Sequence, residues 1–329
     1  MSISRNSLAW LVVATLLLPL AQNVDAQTVL KLAYAENSRP VKEALQYIGQ
    51  AVAQKTNGDL TIQYYPDSQL GGERELVEMT QVGAIDLTKV SSGLLESFSP
   101  LYGVFSLPYL FSSQANFYHV MDDPEIMNQV YQSTAGQGFT GVAWYDSGAR
   151  NFYMAKSPIK SLADLKGKKI RVMQSETAIT TMKLLGASPI AMSQSEVYTS
   201  LQQGIIDGAE NNEFALTIAR HGEVAKYYSY DMHTRIPDIV IMSNLTKNRL
   251  TPTQLTALNE AIKESINVEK KAWKDEIEKT RQLAKQQFGV TFFTIDQAPF
   301  KAAVQPIYEK LKTKPDVYQL YQKISQVSQ

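Results

Sequence analysis

The sequence predicts an α/β fold: two α/β domains with chain crossings between them, a ligand cleft between the domains, and a long helix spanning both. Three observations predict it. The chain opens with a strand–helix–strand pattern, the start of a mostly parallel sheet. A short pattern then occurs twice: a helix end, a glycine, an apolar run carrying Asp, and a cluster of small polar residues. Finally, a helical pattern runs from Thr251 without a breaker until Gly289.

In order, Val29–Tyr34 alternates as a strand, Val41–Thr56 carries Ala44, Leu45, Ile48 and Val52 at helical spacing, and Leu60–Tyr65 is a second strand stopped by Pro66. Gly71 and Gly72 then precede a helix whose first turn carries Glu73 and Glu75. Those charges suit a donor-rich ligand or a helix cap better than an anion. The repeated pattern is Gln81-Val82-Gly83-Ala84-Ile85-Asp86-Leu87, followed by Ser91 and Ser92, and later Gln203-Gly204-Ile205-Ile206-Asp207-Gly208, followed by Glu210-Asn211-Asn212. Ligands of open α/β sheets sit beyond the carboxyl ends of the strands, so two such domains face to face put Ser91 and Ser92 across a cleft from Asn211. Phe98–Phe111 is aromatic and proline-rich, which reads as packed core and connecting loop. Phe139–Tyr145 is a strand leading to a first crossing near Ser147, and Tyr227–Ile241 carries the return. Thr251-Pro252-Thr253-Gln254 is a capping box with Pro in the first turn. The helix it starts is about 55 Å long, a beam under both domains. The expected division is 27–147 plus 237–275 for one domain and 148–236 plus 276–329 for the other.

The N-terminus reads as a signal peptide over residues 1–26. Arg5 supplies the positive region, Leu11–Leu20 the apolar region, and Val24-Asp25-Ala26 the small residues before a cut that leaves Gln27 first. The apolar run falls short of the ~20 residues of a spanning helix, so the mature chain is expected in the periplasm and not in the membrane. Lys plus Arg equals Asp plus Glu, 32 each, which gives no footprint for nucleic acid. Cysteine is absent, which excludes disulfides, thiolate metal sites and a cysteine nucleophile. No HExxH, Walker A, GxGxxG or GxSxG pattern occurs. No catalytic residue, metal or cofactor is therefore expected. A secreted enzyme acting on sugar acids is the rival from another class.

The most informative stretch is Arg150–Asn211. Lys169–Met173 is short, apolar and β-favouring, so Arg171 lies on a buried strand. A buried guanidinium requires an anionic partner, which is either a protein carboxylate or a ligand. Arg150, after Ser-Gly-Ala, reads as the more exposed of the two. Two fork-shaped donors near one strand suit a planar carboxylate.

KSLADLKGKKIRVMQS (160–175) and LGASPIAMSQSEVYTSLQQGIIDGAEN (185–211), with LGGERELVEMTQVGAIDL (70–87) and LPYLF (107–111), resemble the solute-binding proteins of tripartite ATP-independent periplasmic (TRAP) transporters, DctP type. The resemblance covers essentially all of the chain after residue 26. It implies a periplasmic-binding-protein-like fold that closes on a ligand, with the small and large TRAP membrane subunits as partners; the chain itself is expected to be a monomer. It also implies Arg171 as the carboxylate anchor, Arg150 as its assistant, and Asn211, Gln174, Glu73 and the Ser91/Ser92 region as contacts to the rest of the ligand. Two departures matter: Gln194 stands where many relatives carry an aromatic residue, and Asn212 stands where proline commonly follows the first asparagine. Both make the cleft more polar. The resemblance and its departures favour a hexuronate, glucuronate or galacturonate, whose hydroxyls suit Gln174, Gln194, Asn211 and Glu73. A C4-dicarboxylate is the alternative and would want a second cationic group.

Overall fold

The computed structural model describes residues 27–327. The expected signal peptide lies outside the described residues. Strands β1 (Thr28–Tyr34), β2 (Leu60–Tyr65), β3 (Leu87–Ser91) and β4 (Phe139–Tyr145) enter one sheet. Strands β5 (Ala149–Met154), β6 (Lys169–Val172), β7 (Ser188–Ala191), β8 (Gly208–Asn211) and β9 (Tyr227–Arg235) enter a second. Strand β10 (Asp238–Ser243) returns to the first sheet and β11 (Thr291–Thr294) to the second. The strand orders are β2-β1-β3-β10-β4 and β11-β9-β5-β8-β6-β7. The chain thus passes between sheets over Asp146–Gly148 and again at Ile236–Pro237.

Each half contains the same unit. In the first, β1 pairs in parallel with β2 and β3; in the second, β6 pairs in parallel with β7 and β8. The repeated sequence pattern sits at the same place in both. Gly83 and Gly204 both take φ +71, left-handed backbone that glycine adopts without a Cβ penalty. Asp86 Oδ2 then accepts the Lys31 N–H of β1 at 2.7 Å, and Asp207 Oδ2 accepts the Lys169 N–H of β6 at 2.8 Å. In each case one carboxylate ties the strand it precedes to the first strand of its unit.

The long helix, Pro252–Phe288, has 37 residues. Thr251 and Gln254 close the capping box, and Gly289 ends the helix at φ +65. Its N-terminal part lays Ala257, Leu258, Ala261 and Ile262 against Ala44, Leu45, Ile48 and Val52 of the helix Arg39–Lys55. Ala284 and Phe288, near its other end, pack with Tyr153, Leu216 and Val290 of the second half. Each fully buried Leu or Ile in the first seam contributes about 1.5–3 kcal/mol, so the beam is fixed more by packing than by helix propensity.

The C-terminal helix Pro315–Val327 departs from the expected division. Val317, Leu320 and Ile324 pack with Val104, Phe117, Ile126 and Val130 of the first half. The reason is its apolar stripe at helical spacing, which fits between the helices Gln114–Met121 and Pro124–Gln132. The helix before it, Gln305–Leu311, joins the same core through Ile307 and Leu311, while Phe300 and Val304 further upstream stay with the second half and pack with Phe152, Ile170 and Val172.

The candidate ligand cleft

A cavity of about 360 Å³ opens between the two sheets, within the usual size range of small-molecule sites, about 300–1,000 Å³. It lies beyond the carboxyl ends of β1, β3, β6, β7 and β8. Of the residues expected at a site, Glu73, Ser91, Arg150, Arg171, Gln174, Gln194 and Asn211 all line it. Ser92 does not: it is 0% exposed and its hydroxyl has no partner. Strand β3 ends at Ser91, whose Oγ accepts the Gly93 N–H to start a helical turn at Ser92. That turn carries Ser92 away from the cavity.

Strand β6 places Arg171. Ile170 and Val172 point into the core of the second half, and the period of two turns Arg171 to the other face. Its Nε and Nη2 donate to Met192 O at 3.0 and 2.8 Å, and Nη1 donates to Gln194 Oε1 at 2.9 Å. Among the described residues Arg171 makes no ion pair. Burial depresses its pKa from the ordinary value. Neutral oxygens therefore aim the guanidinium without cancelling its charge. Gln194, expected to contact ligand, also holds the anchor in place.

The protein-carboxylate alternative holds for Arg150 instead. Contrary to the exposed reading, Arg150 is 5% exposed. Strand β5 runs antiparallel to β8 with Asn151 opposite Asn211 and Phe152 opposite Glu210. That register brings the Arg150 fork against Glu210: Nε and Nη2 donate to the two carboxylate oxygens, and Nη2 also donates to Glu210 O at 2.7 Å. Nη1 donates to Asn211 Oδ1 at 3.0 Å. Behind Glu210 stands His233, whose Nδ1 lies 2.8 Å from Asp231 Oδ2 and whose Nε2 lies 3.4 Å from Glu210 Oε2. Burial favours neutral forms here, but Arg150 and His233 hold the Glu210 carboxyl down at about 2. Burial likewise lowers His233, and Asp231 and Glu210 overcome it to raise the imidazole to about 9. The row Asp231–His233–Glu210–Arg150 thus fixes Asn211 at the cavity wall. Sequence reading missed His233. Its signal was a histidine two residues after an aspartate on a strand with few other charges.

The facing wall comes from the first half. Glu73 Oε1 accepts the Ser91 N–H at 3.0 Å, and burial pushes its carboxyl up to about 7, against the pull of Lys89. Lys89 was also missed. It is 1% exposed and bonds Asp238 Oδ2 at 2.8 Å and Glu36 Oε2 at 3.2 Å. Its signal was a lysine between Thr88 and Val90 in a short strand-like stretch that follows the apolar Ala84–Ile85.

The halves also touch beside the cavity. Glu96 accepts from Ser175 Oγ, from Thr177 Oγ1 at 2.6 Å and from Thr177 N–H, at the start of the helix Glu176–Leu184. At the crossings, Arg235 pairs with Asp146 at 3.0 Å, and Glu269 of the long helix accepts the Asp146 N–H at 3.0 Å. Gly148 takes φ +65, and a Cβ there would lie 2.8 Å from the Trp273 ring. Among the described residues no helix is long and apolar enough to cross a membrane.

Comparison with known proteins adds to this geometry. Residues 33–314 match the model of DctP, bacterial extracellular solute-binding protein, family 7. The chain is 70% identical over 298 residues to the uncharacterized protein YiiZ of Salmonella typhimurium, covering 91% of each. It is similar, at 40% identity and a TM-score of 0.89, to a TRAP periplasmic solute-binding protein of Anaerococcus prevotii with bound α/β-D-glucuronate, covering 92% of this chain and 98% of that one. A second such protein, from Xanthobacter autotrophicus Py2 with bound β-D-galacturonate, has 37% identity and a TM-score of 0.85, covering 90% and 98%.

Proposed function

Because the chain belongs to family 7 of the bacterial extracellular solute-binding proteins, the DctP family, we propose that its cleft captures a hexuronate, glucuronate or galacturonate, for a TRAP transporter. The observation that carries this reading is Arg171. A buried guanidinium, aimed by Met192 O and Gln194 and paired with no carboxylate among the described residues, stands on the wall of a sugar-sized cavity. A ligand carboxylate completes it with a bidentate, charge-assisted pair. Arg150, neutralised by Glu210, serves by positioning Asn211. Gln174, Gln194, Asn211, Ser91 and Glu73 supply polar groups for hydroxyls. The glucuronate and galacturonate bound by the two similar structures support the ligand class.

In this reading the protein works in the periplasm after loss of residues 1–26. It hands the ligand to the small and large membrane subunits and performs no chemistry on it. Binding moves the two halves together around the crossings, shifting the population toward a compact form. Titration calorimetry of the purified chain with glucuronate, galacturonate, succinate and malate tests the proposal, with product analysis of the same mixtures. The expected result is one-site binding of a uronate without turnover, and about 2.7 kcal/mol of added stability at 100 times Kd. Tight succinate or malate binding with no response to either uronate would overturn it.

A further inference from the structure

The cavity has two walls of opposite electrical character. On one stands Arg171, whose charge no carboxylate among the described residues cancels. On the other stand Lys89, Glu36, Asp238 and Glu73, all lining the same cavity. Lys89 is the second cationic group that a dicarboxylate would want, but it is already committed. Asp238 holds its Nζ at 2.8 Å and Glu36 at 3.2 Å, with the lysine side chain 2% exposed. One ammonium among three carboxylates leaves this wall at a net charge of −2 when all are ionised, and −1 with Glu73 protonated.

We propose that Glu73, Lys89, Asp238 and Glu36 form a hydroxyl-reading subsite that excludes a second carboxylate, restricting the cleft to acids with one carboxylate and a polyol end. The inference rests on Arg171 anchoring the ligand carboxylate as read above. The chemistry follows from donor and acceptor counts. An ammonium has three N–H donors, and Asp238 and Glu36 take two, which leaves one for a hydroxyl or ring oxygen. Glu73 Oε1 is used by the Ser91 N–H, while Oε2 remains free to accept from a sugar O–H. A vicinal diol, which both donates and accepts, satisfies this pair of partners. A second carboxylate does not: it donates nothing to an ionised Glu73, and in taking the third N–H of Lys89 it would place a fourth carboxylate around a single ammonium. Specificity of this kind comes from repulsion of the wrong ligand as much as attraction of the right one.

The test is a ratio of affinities measured by calorimetry. D-Glucuronate and D-glucarate share six carbons, but glucarate carries a carboxylate at both ends. Each is titrated into wild type, Glu73→Gln and Asp238→Asn, with melting curves confirming that each variant is folded. Comparing ratios between proteins cancels the intrinsic difference between a ring and an open chain. Wild type is expected to prefer glucuronate at least 100-fold. Glu73→Gln removes a negative charge and should shrink the preference at least tenfold while weakening glucuronate. Asp238→Asn leaves Lys89 with Glu36 alone and should shrink the preference by improving glucarate itself. If wild type binds both acids within about threefold, or both variants keep the wild-type ratio, the subsite assignment is wrong while the hexuronate reading stands. If wild type ignores glucuronate, and galacturonate titrated beside it, and takes glucarate, both readings fail together.

Discussion

Replacing Arg171 by Lys separates a ligand anchor from a structural cation. The guanidinium is fixed by bonds of 2.8 and 3.0 Å to Met192 O and 2.9 Å to Gln194 Oε1, so little of its motion remains to be lost on binding. Removing one partner of a buried charge-assisted pair costs about 2–5 kcal/mol, which is roughly 30- to several-thousand-fold in Kd. Lysine keeps the charge but not the planar fork, so Arg171→Lys should weaken glucuronate by at least about 30-fold in a calorimetric titration. The melting temperature of the ligand-free protein should behave in the opposite way from a structural ion pair. Among the described residues Arg171 has no carboxylate to leave behind, so ligand-free Arg171→Lys should melt within about 2 °C of wild type. Arg150→Gln abandons the buried carboxylate of Glu210, a loss of about 3–5 kcal/mol, and should lower melting by roughly 6–12 °C. Near-wild-type affinity in an Arg171→Lys protein that melts early would refute the assignment of the two arginines.

Other outcomes follow from the same contacts. Glu96→Ala removes the bonds from Ser175 and Thr177 that join the halves. It should weaken the uronate about 5- to 50-fold, the equivalent of about one hydrogen bond to a charged group, net about 1.5–3 kcal/mol, and enlarge the ligand-bound radius in X-ray scattering; an unchanged affinity would show that this contact plays no part in closure. His233 has a folded pKa raised to about 9 from 6.5, so its contribution is complete below pH 6.5 and is lost as pH rises through 9. Wild type should therefore lose melting temperature across that window relative to His233→Asn, and parallel curves would refute the charged imidazole. Gly148→Ala forces a Cβ into left-handed backbone, costing about 1–2 kcal/mol, and against Trp273. It should lower both stability and affinity, and stopped-flow binding would show whether closing is slowed.

Much of the fold was legible because its signals are local. Thr251, Pro252 and Gln254 announce the long helix within four residues, and Gly289 ends it. The two Gly-x-x-Asp patterns were legible as an echo, and the physical content of the echo is the pair of carboxylates on Lys31 N–H and Lys169 N–H. What was not legible depends on partners far along the chain. Arg150 looked exposed because its neighbours are small, yet its carboxylate is Glu210, supplied by the register of β5 on β8. Lys89 is held by residues 36 and 238, which no window of sequence brings together. Ser91 and Ser92 are adjacent, and only the end of β3 between them decides which one reaches the cavity. The C-terminal helix lies outside its expected domain because its apolar stripe selects a groove on the other half, a partner far away in sequence.

Strand β10 lies between β3 and β4, yet it is the last of the five strands of its sheet to be synthesised. Until it arrives, β3 and β4 each present an unpaired edge, with Asp238 waiting to meet Ser91 on one side and Tyr145 on the other. Pairings so distant in sequence form slowly, because the loop must close before any contact rewards it. Five strands of the second sheet, β5 to β9, lie between residues 149 and 235 and need no such wait. The N-terminal sheet is therefore the slower of the two to mature, and its open edges are the exposed, association-prone surface of the nascent chain. A chain cut short before residue 238 would lose the strand that joins β3 to β4, and so would damage the sheet that begins it more than the sheet nearest the break.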